Sequence, residues 1–219
     1  MTQPGRPRIG AVLLAGGRGR RFGADKRQAQ LPGGLGLLET TVRRYAGVFD
    51  ALRVVLREDE VELAQRLAPA LAAGPIARDG RDTDRRVVFS ARADGGMGCT
   101  LADGMATVTD WDVAFVGLGD MPFVTHTTLA LLRAAAQGAF RPPAPLAADG
   151  WQVLQPQHVG LPGHPVGFRA ALFPALRALA GDKGARTVVQ AHRSTLWRLP
   201  VSDAGVLQDV DTPDNLPRR

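Results

Sequence analysis

The sequence predicts a three-layer α/β fold on a mainly parallel, mixed sheet, and three observations carry that expectation. Short apolar runs of strand length alternate with segments of helical spacing. The runs Ile9 to Leu14 and Val113 to Leu118 are apolar throughout, as strands covered on both faces must be. Each of the two empties into a Gly- or Asp-containing turn, at the carboxyl edge where open α/β sheets place their ligands.

The elements follow in order. Ile9 to Leu14 is the first strand and ends in Gly16-Gly17. Leu37 to Val48 has helical spacing, and Leu52 to Leu56 is a second short strand. Glu58 to Ala72 is an amphipathic helix whose early acids suit the helix dipole. Arg86 to Phe89 is a weaker strand, Thr100 to Val108 a helix, and Val113 to Leu118 a buried strand running into Gly119-Asp120. Thr125 to Gln137 is a helix with Thr125 placed as its cap. The Pro-rich stretch Phe140 to Pro145 must be a turn, and Gly74 to Arg86 is a polar surface loop. Val153 to Gln157 is a strand, Gly167 to Ala180 and Ala185 to His192 are helices, and Thr195 to Leu199 and Val206 to Val210 are closing strands.

A chain of 219 residues that is 45% hydrophobic can bury a full core, and one domain over 1–219 with a polar tail at 1–8 is expected. Cys99 is the only cysteine, which excludes an internal disulfide framework and any cysteine-built zinc or iron–sulfur site. No apolar run reaches the roughly 20 residues of a membrane helix, and the start of the chain is no signal peptide, so a soluble cytoplasmic protein is expected. The net charge of +6 comes almost wholly from scattered arginines. No basic block interleaved with aromatics appears, so neither nucleic acid nor membrane is expected as a partner. The two lysines, Lys26 and Lys183, each stand in a turn containing Gly and Asp, where a compact ammonium suits an anion.

The segment Leu14-Ala15-Gly16-Gly17-Arg18-Gly19-Arg20-Arg21-Phe22-Gly23-Ala24-Asp25-Lys26 carries the strongest chemical signal. Backbone amides freed of side-chain bulk can wrap phosphate oxygens, and Arg and Lys add charge. A tight turn with solvated arginines is the structural alternative, but four glycines exceed what a turn requires. The spacing fits neither a dinucleotide fingerprint, since Phe22 stands where glycine is needed, nor a P-loop, since no Gly-Lys-Ser/Thr occurs. Asp120 and Asp211 each follow a short apolar run, and two such carboxylates could share a Mg²⁺ with substrate phosphates. The serines lack a hydrolase elbow, the histidines lack zinc spacing, and Cys99 suits a small buried residue.

The ordered motifs resemble the nucleotidyltransferase family that includes the molybdenum cofactor cytidylyltransferases and guanylyltransferases. They are Leu14 to Lys26, Gly96-Met97-Gly98-Cys99-Thr100-Leu101-Ala102-Asp103-Gly104, Gly119-Asp120-Met121-Pro122, Gly163-His164-Pro165-Val166-Gly167-Phe168, Gly181-Asp182-Lys183-Gly184-Ala185-Arg186 and Asp209-Val210-Asp211-Thr212-Pro213-Asp214. The fourth and fifth resemble the cytidylyl branch, whereas Leu14-Ala15-Gly16-Gly17 resembles the guanylyl branch. Gly160-Leu161-Pro162 precedes Gly163 where members often carry an arginine.

The resemblance implies a Rossmann-like nucleotidyltransferase fold and Mg²⁺-dependent transfer of a nucleoside monophosphate, CMP from CTP, to a phosphate-bearing pterin acceptor with release of pyrophosphate. Guanylyl or sugar-phosphate transfer is the alternative within the enzyme class, and a non-catalytic carrier serving a molybdoenzyme the alternative outside it. By the same resemblance Lys26, Arg20 and Asp120 are catalytic. Leu14, Ala15, Gly16, Gly17, Gly19, Arg21 and Lys26, with Gly96, Met97, Gly98, Thr100 and Leu101, hold the nucleotide. Gly163, His164, Pro165 and Lys183 face the acceptor, and Asp120 and Asp211 hold the metal. The partners implied are a nucleoside triphosphate, the pterin cofactor and a molybdoenzyme client, for a monomer or weak dimer.

Overall fold

The computed structural model describes residues 7–17, 27, 29–74, 83–144, 146 and 150–211. Four strands, β1 (Ile9–Leu14), β2 (Ala51–Arg57), β3 (Asp84–Ser90) and β4 (Val113–Leu118), form the parallel half of one sheet. The other half holds β5 (Val153–His158), β6 (Leu161–Pro162), β7 (Val166–Arg169) and β8 (Leu196–Pro200). The order runs β3-β2-β1-β4-β7-β5-β6, with β8 parallel to β5 and β7 antiparallel to both β4 and β5. The sheet is mixed and mostly parallel, as expected.

Helices cover both faces. On one side lie α1 (Leu37–Ala46), α2 (Val61–Ala72) and α4 (His126–Ala136), whose Leu38, Val42, Leu67 and Leu132 pack on Ala11, Leu13, Val54 and Phe115. On the other lie α3 (Met97–Ala106), α5 (Phe173–Arg177) and α6 (Arg186–Ala191), whose Leu101, Met105, Leu176 and Val188 pack with Val12, Val55, Val116 and Phe168. Neighbouring residues of β1 and β4 thus enter opposite cores, which is why those runs contain no polar residue. Thr125 caps α4 by accepting from the Thr128 amide, as its position predicts.

Two expectations need correction, and two short strands were not foreseen. The stretch from Gly167 to Ala180 is not one helix: it is the end of β7, a 3₁₀ turn at 170–172 and the short α5. Gly167 lies against the ring of Phe115 in the pairing with β4, so tertiary packing overrides the helical spacing. Residues 206–210 are not a strand; 204–207 form a 3₁₀ turn in which Asp203 accepts from the Gly205 amide. The short strands β6, which contains Pro162 and pairs with β5, and β7, which lies between β4 and β5, carried no strand signal at all. Most of the expected surface loop, 75–82, lies outside the described residues. No described helix is long and apolar enough to cross a membrane.

Candidate active site

Parallel pairing brings the carboxyl ends of β1, β2 and β4 to one edge of the sheet. The chain steps from β1 outward to β2 and β3, then returns to add β4 on the other side of β1. This reversal opens a crevice beyond the strand ends. There the structure has a cavity of about 650 Å³, and its wall includes Leu14, Ala15, Gly16 and Gly17 from β1, Arg57 from β2, and Leu118, Gly119 and Asp120 from β4. The Gly119 amide donates to the Leu14 carbonyl at 2.9 Å and ties the two central strand ends together.

Asp211 reaches this cavity through the backbone. The Val210 amide donates to the Asp120 carbonyl at 3.0 Å, so the following residue is delivered to the wall that Asp120 forms. The two carboxylates therefore converge on one space, although the segment before Asp211 is no strand. Among the described residues no group of three or more His, Cys, Asp and Glu side chains has metal-site geometry. Two carboxylates beside a Gly-Gly strand end fit a hard divalent cation, which takes oxygen ligands and completes its shell with water or phosphate oxygens.

A third wall comes from the turn before α3 and from the loop that packs on it: Ala93, Asp94, Gly96, Met97, Thr100 and Asp182. Gly96 has φ +100°, and a Cβ there would lie 2.3 Å from the Asp182 carboxylate. The Gly98 amide donates to the Gly181 carbonyl at 2.7 Å. Only glycines permit this approach, which sets Asp182 beside the start of α3.

Of the residues singled out in the sequence, Leu14, Ala15, Gly16, Gly17, Gly96, Met97, Thr100, Asp120 and Asp211 line the cavity. Gly98 instead supports the 180–182 loop, and Leu101 is fully buried in the α3-side core. Gly163, His164, Pro165 and Lys183 stand off the wall. Burial lowers the His164 pKa, against a backbone hydrogen bond with Val116 and the charges of Asp120 and Asp209. Its Nδ1 is buried with no hydrogen-bond partner. Gly19, Arg20, Arg21 and Lys26 lie outside the described residues. Cys99 is buried, its Sγ 3.4 Å from the Gly95 carbonyl.

Sequence reasoning missed Arg27, Arg57, Asp94 and Asp182 on the wall. Arg57 carried a usable signal, because it follows the apolar run of β2 as Asp120 follows that of β4. Asp182 stood inside the Gly181 to Arg186 motif but was given no role of its own, whereas Arg27 and Asp94 carried no signal, since each stands in an irregular segment placed only by tertiary contacts.

A family model described as the MobA-like NTP transferase domain matches residues 11–196. A protein of Methanosarcina acetivorans, named as a probable molybdenum cofactor guanylyltransferase, is 31% identical over 137 residues, 62% of this chain. That match spans 57% of the relative's own length. Among solved structures, the homologue of Rv0371c from Mycobacterium sp. strain JC1 superposes with a TM-score of 0.69 at 28% identity, covering 96% of this chain and 93% of that one. Rv0371c of Mycobacterium tuberculosis H37Rv, solved in complex with manganese, gives 0.64 at 25% identity over 95% of each chain.

Proposed function

The chain belongs to the MobA-like NTP transferase domain family, and from that premise we propose that it transfers a nucleoside monophosphate from a nucleoside triphosphate to a molybdopterin-type acceptor. The observation that supports this best is one cavity with a Gly-Gly strand end and two arginines on one wall and two carboxylates on another. Amides and guanidiniums suit a triphosphate. The carboxylates alone would repel it, so in this reading Asp120 and Asp211 would hold Mg²⁺. When bound, that ion neutralises charge on the phosphates and orients them.

In the reaction an acceptor phosphate oxygen attacks the α-phosphorus, the bond to the bridging oxygen of the β-phosphate breaks, and pyrophosphate leaves. This chemistry needs positioning and charge stabilisation rather than a protein nucleophile. The chain's own contribution is to align the triphosphate along Ala15 to Gly17 and present cations to the departing charge. Lys26 and Arg20 would add to that charge. Gly163, His164, Pro165 and Lys183 would face the acceptor, and the influence of the Asp120 charge on His164 supports placing the acceptor on that side.

For the base we propose CTP, on the series of motifs through Gly96 to Leu101 and Gly181 to Arg186. Asp182 beside Gly96 supplies a carboxylate able to accept from an exocyclic amino group. Guanylyl transfer is the second reading, favoured by two observations. The curated relative carries that name, and a methyl group at Gly16 would sit 3.3 Å from Thr100 and 3.4 Å from Ala93, so glycine leaves that wall wider. Pyrophosphate release measured over a grid of four nucleotides and several phosphate-bearing acceptors tests the transferase. No release with any pair, despite nucleotide binding, would favour a carrier. Calorimetry with Mg²⁺ decides the base, and tighter binding of GTP than of CTP would overturn the choice of CTP.

A further inference from the structure

The cavity wall at the end of β1 is held by a pair of opposite charges, one of which, Arg27, itself lines the cavity. Arg27 donates from Nη1 to the Ala15 carbonyl at 2.8 Å, while its Nη2 pairs with Glu60 Oε1. The two side chains are only 10% and 13% exposed. The other oxygen of Glu60 accepts from the Arg57 amide at 2.9 Å. Glu60 sits just before α2 and is not part of the cavity wall. One carboxylate thus joins the carboxyl end of β2 to a guanidinium that grips the end of β1.

Two geometric consequences follow. A trans peptide is planar, so its N–H points opposite to its C=O. Fixing the Ala15 carbonyl on Arg27 therefore turns the Gly16 amide the other way and keeps it from rotating. Arg57, whose Nη1 lies 3.5 Å from the Gly16 carbonyl, adds a weaker restraint of the same kind on the next peptide. Without that hold Gly16 and Gly17 would lose their order, because glycines have the most backbone freedom to lose.

We propose that the Glu60–Arg27 pair is a positioning staple for the Ala15 to Gly17 end of β1, with Glu60 acting through Arg27 rather than on the nucleotide. The inference rests on the reading of that strand end as part of the triphosphate site. Its sign is unusual. Glu60 is an anion near an anion site, so by Coulomb's law alone its removal strengthens triphosphate binding. A staple predicts the reverse.

The test measures binding of CTP against cytidine, and of GTP against guanosine, in Mg²⁺ for wild type, Glu60→Gln and Glu60→Asp. Gln keeps an oxygen for the Arg57 amide but loses the charge that holds Arg27. We expect Glu60→Gln to weaken the preferred triphosphate about tenfold, the scale of one charged hydrogen bond, with nucleoside affinity unchanged within about twofold and kcat falling less than KM rises. Glu60→Asp restores part of the loss if its shorter carboxylate still meets Arg27, and its thermal midpoint controls for folding. Equal or tighter triphosphate binding by a folded Glu60→Gln overturns the staple. Equal weakening of triphosphate and nucleoside also overturns it, since that marks a general structural role. A wild-type protein that binds triphosphates no more tightly than nucleosides would instead sink the functional reading on which the staple rests.

Discussion

Arg53 and Arg57 stand on the same face of β2, at opposite ends of the strand, and meet opposite fates. Arg53 is closed in. Its side chain is 2% exposed, its guanidinium lies 5.2 Å from the Trp111 ring centroid, and it donates to the Thr107 hydroxyl, the Asp84 carbonyl and the Asp84 carboxylate. Arg57 is 11% exposed but faces the cavity, and its carboxylate partners Asp94 and Asp59 are 68% and 78% exposed. The helix between them sharpens the contrast. Arg53 contacts Thr107 at the carboxyl end of α3, where the helix dipole favours a cation. Arg57 sits near its amino end, where a cation is disfavoured and the hydrogen bond to Asp94 compensates.

The lesson is that burial of the partner, more than burial of the arginine, separates a charge that holds the fold from one that can serve a ligand. Asp84 is fixed between Arg53, Arg8 and Arg86. Asp94 and Asp59 are wet carboxylates, and an arriving phosphate can replace them at little cost.

Four experiments can break this comparison, beginning with the largest effect. Arg53→Ala removes a fully buried side chain and leaves Asp84 short of its main partner, and should lower unfolding free energy by about 2–5 kcal/mol, the scale for truncating a large buried side chain. Urea unfolding reads the loss, while turnover per folded molecule stays near that of wild type. An Arg53 variant that is stable but inactive would reverse the assignment of the two ends.

Asp120→Ala, at the open end, should cut turnover roughly 10²–10³-fold, as for loss of a preorganised charge stabiliser. Mg²⁺-dependent turnover close to wild type would remove Asp120 from the chemistry. Arg57→Ala should raise KM for the triphosphate about tenfold, equivalent to one charged hydrogen bond, with stability changed by less than about 1 kcal/mol. If its urea midpoint instead falls as far as that of Arg53→Ala, both ends of β2 are structural.

The smallest effect is a pH dependence confined to the closed end. Burial raises the Asp84 pKa, but the hydrogen bond and charge of Arg53, then Arg86 and Arg8, outweigh it and hold the carboxyl below its ordinary value. A depressed carboxyl contributes stability above its unfolded pKa of about 3.9 and loses it as pH falls through the lower folded value. Wild type and Asp84→Asn should therefore differ in melting temperature at pH 7 and converge below about pH 4. A gap that persists in acid would mean that shape at Asp84, not charge, does the work.

What the chain determined by itself is local and periodic. The all-apolar runs of β1 and β4 can only be strands buried on both faces, and Thr125 can cap α4 with its own hydroxyl. The glycines after β1 and the acid after β4 mark the edge where the cavity opens, because parallel strands bring their carboxyl ends together. Tertiary structure decided the rest. The helical spacing of 167–180 yielded to pairing of β7 with β4, where Gly167 alone fits against Phe115. Asp211 meets Asp120 through a backbone bond from Val210, a contact between residues far apart in the chain that no pattern encodes. Arg27 and Glu60 look in sequence like two more solvated charges. Only folding makes them a buried pair, because the β1 and β2 ends lie side by side and a carbonyl at their junction requires a donor.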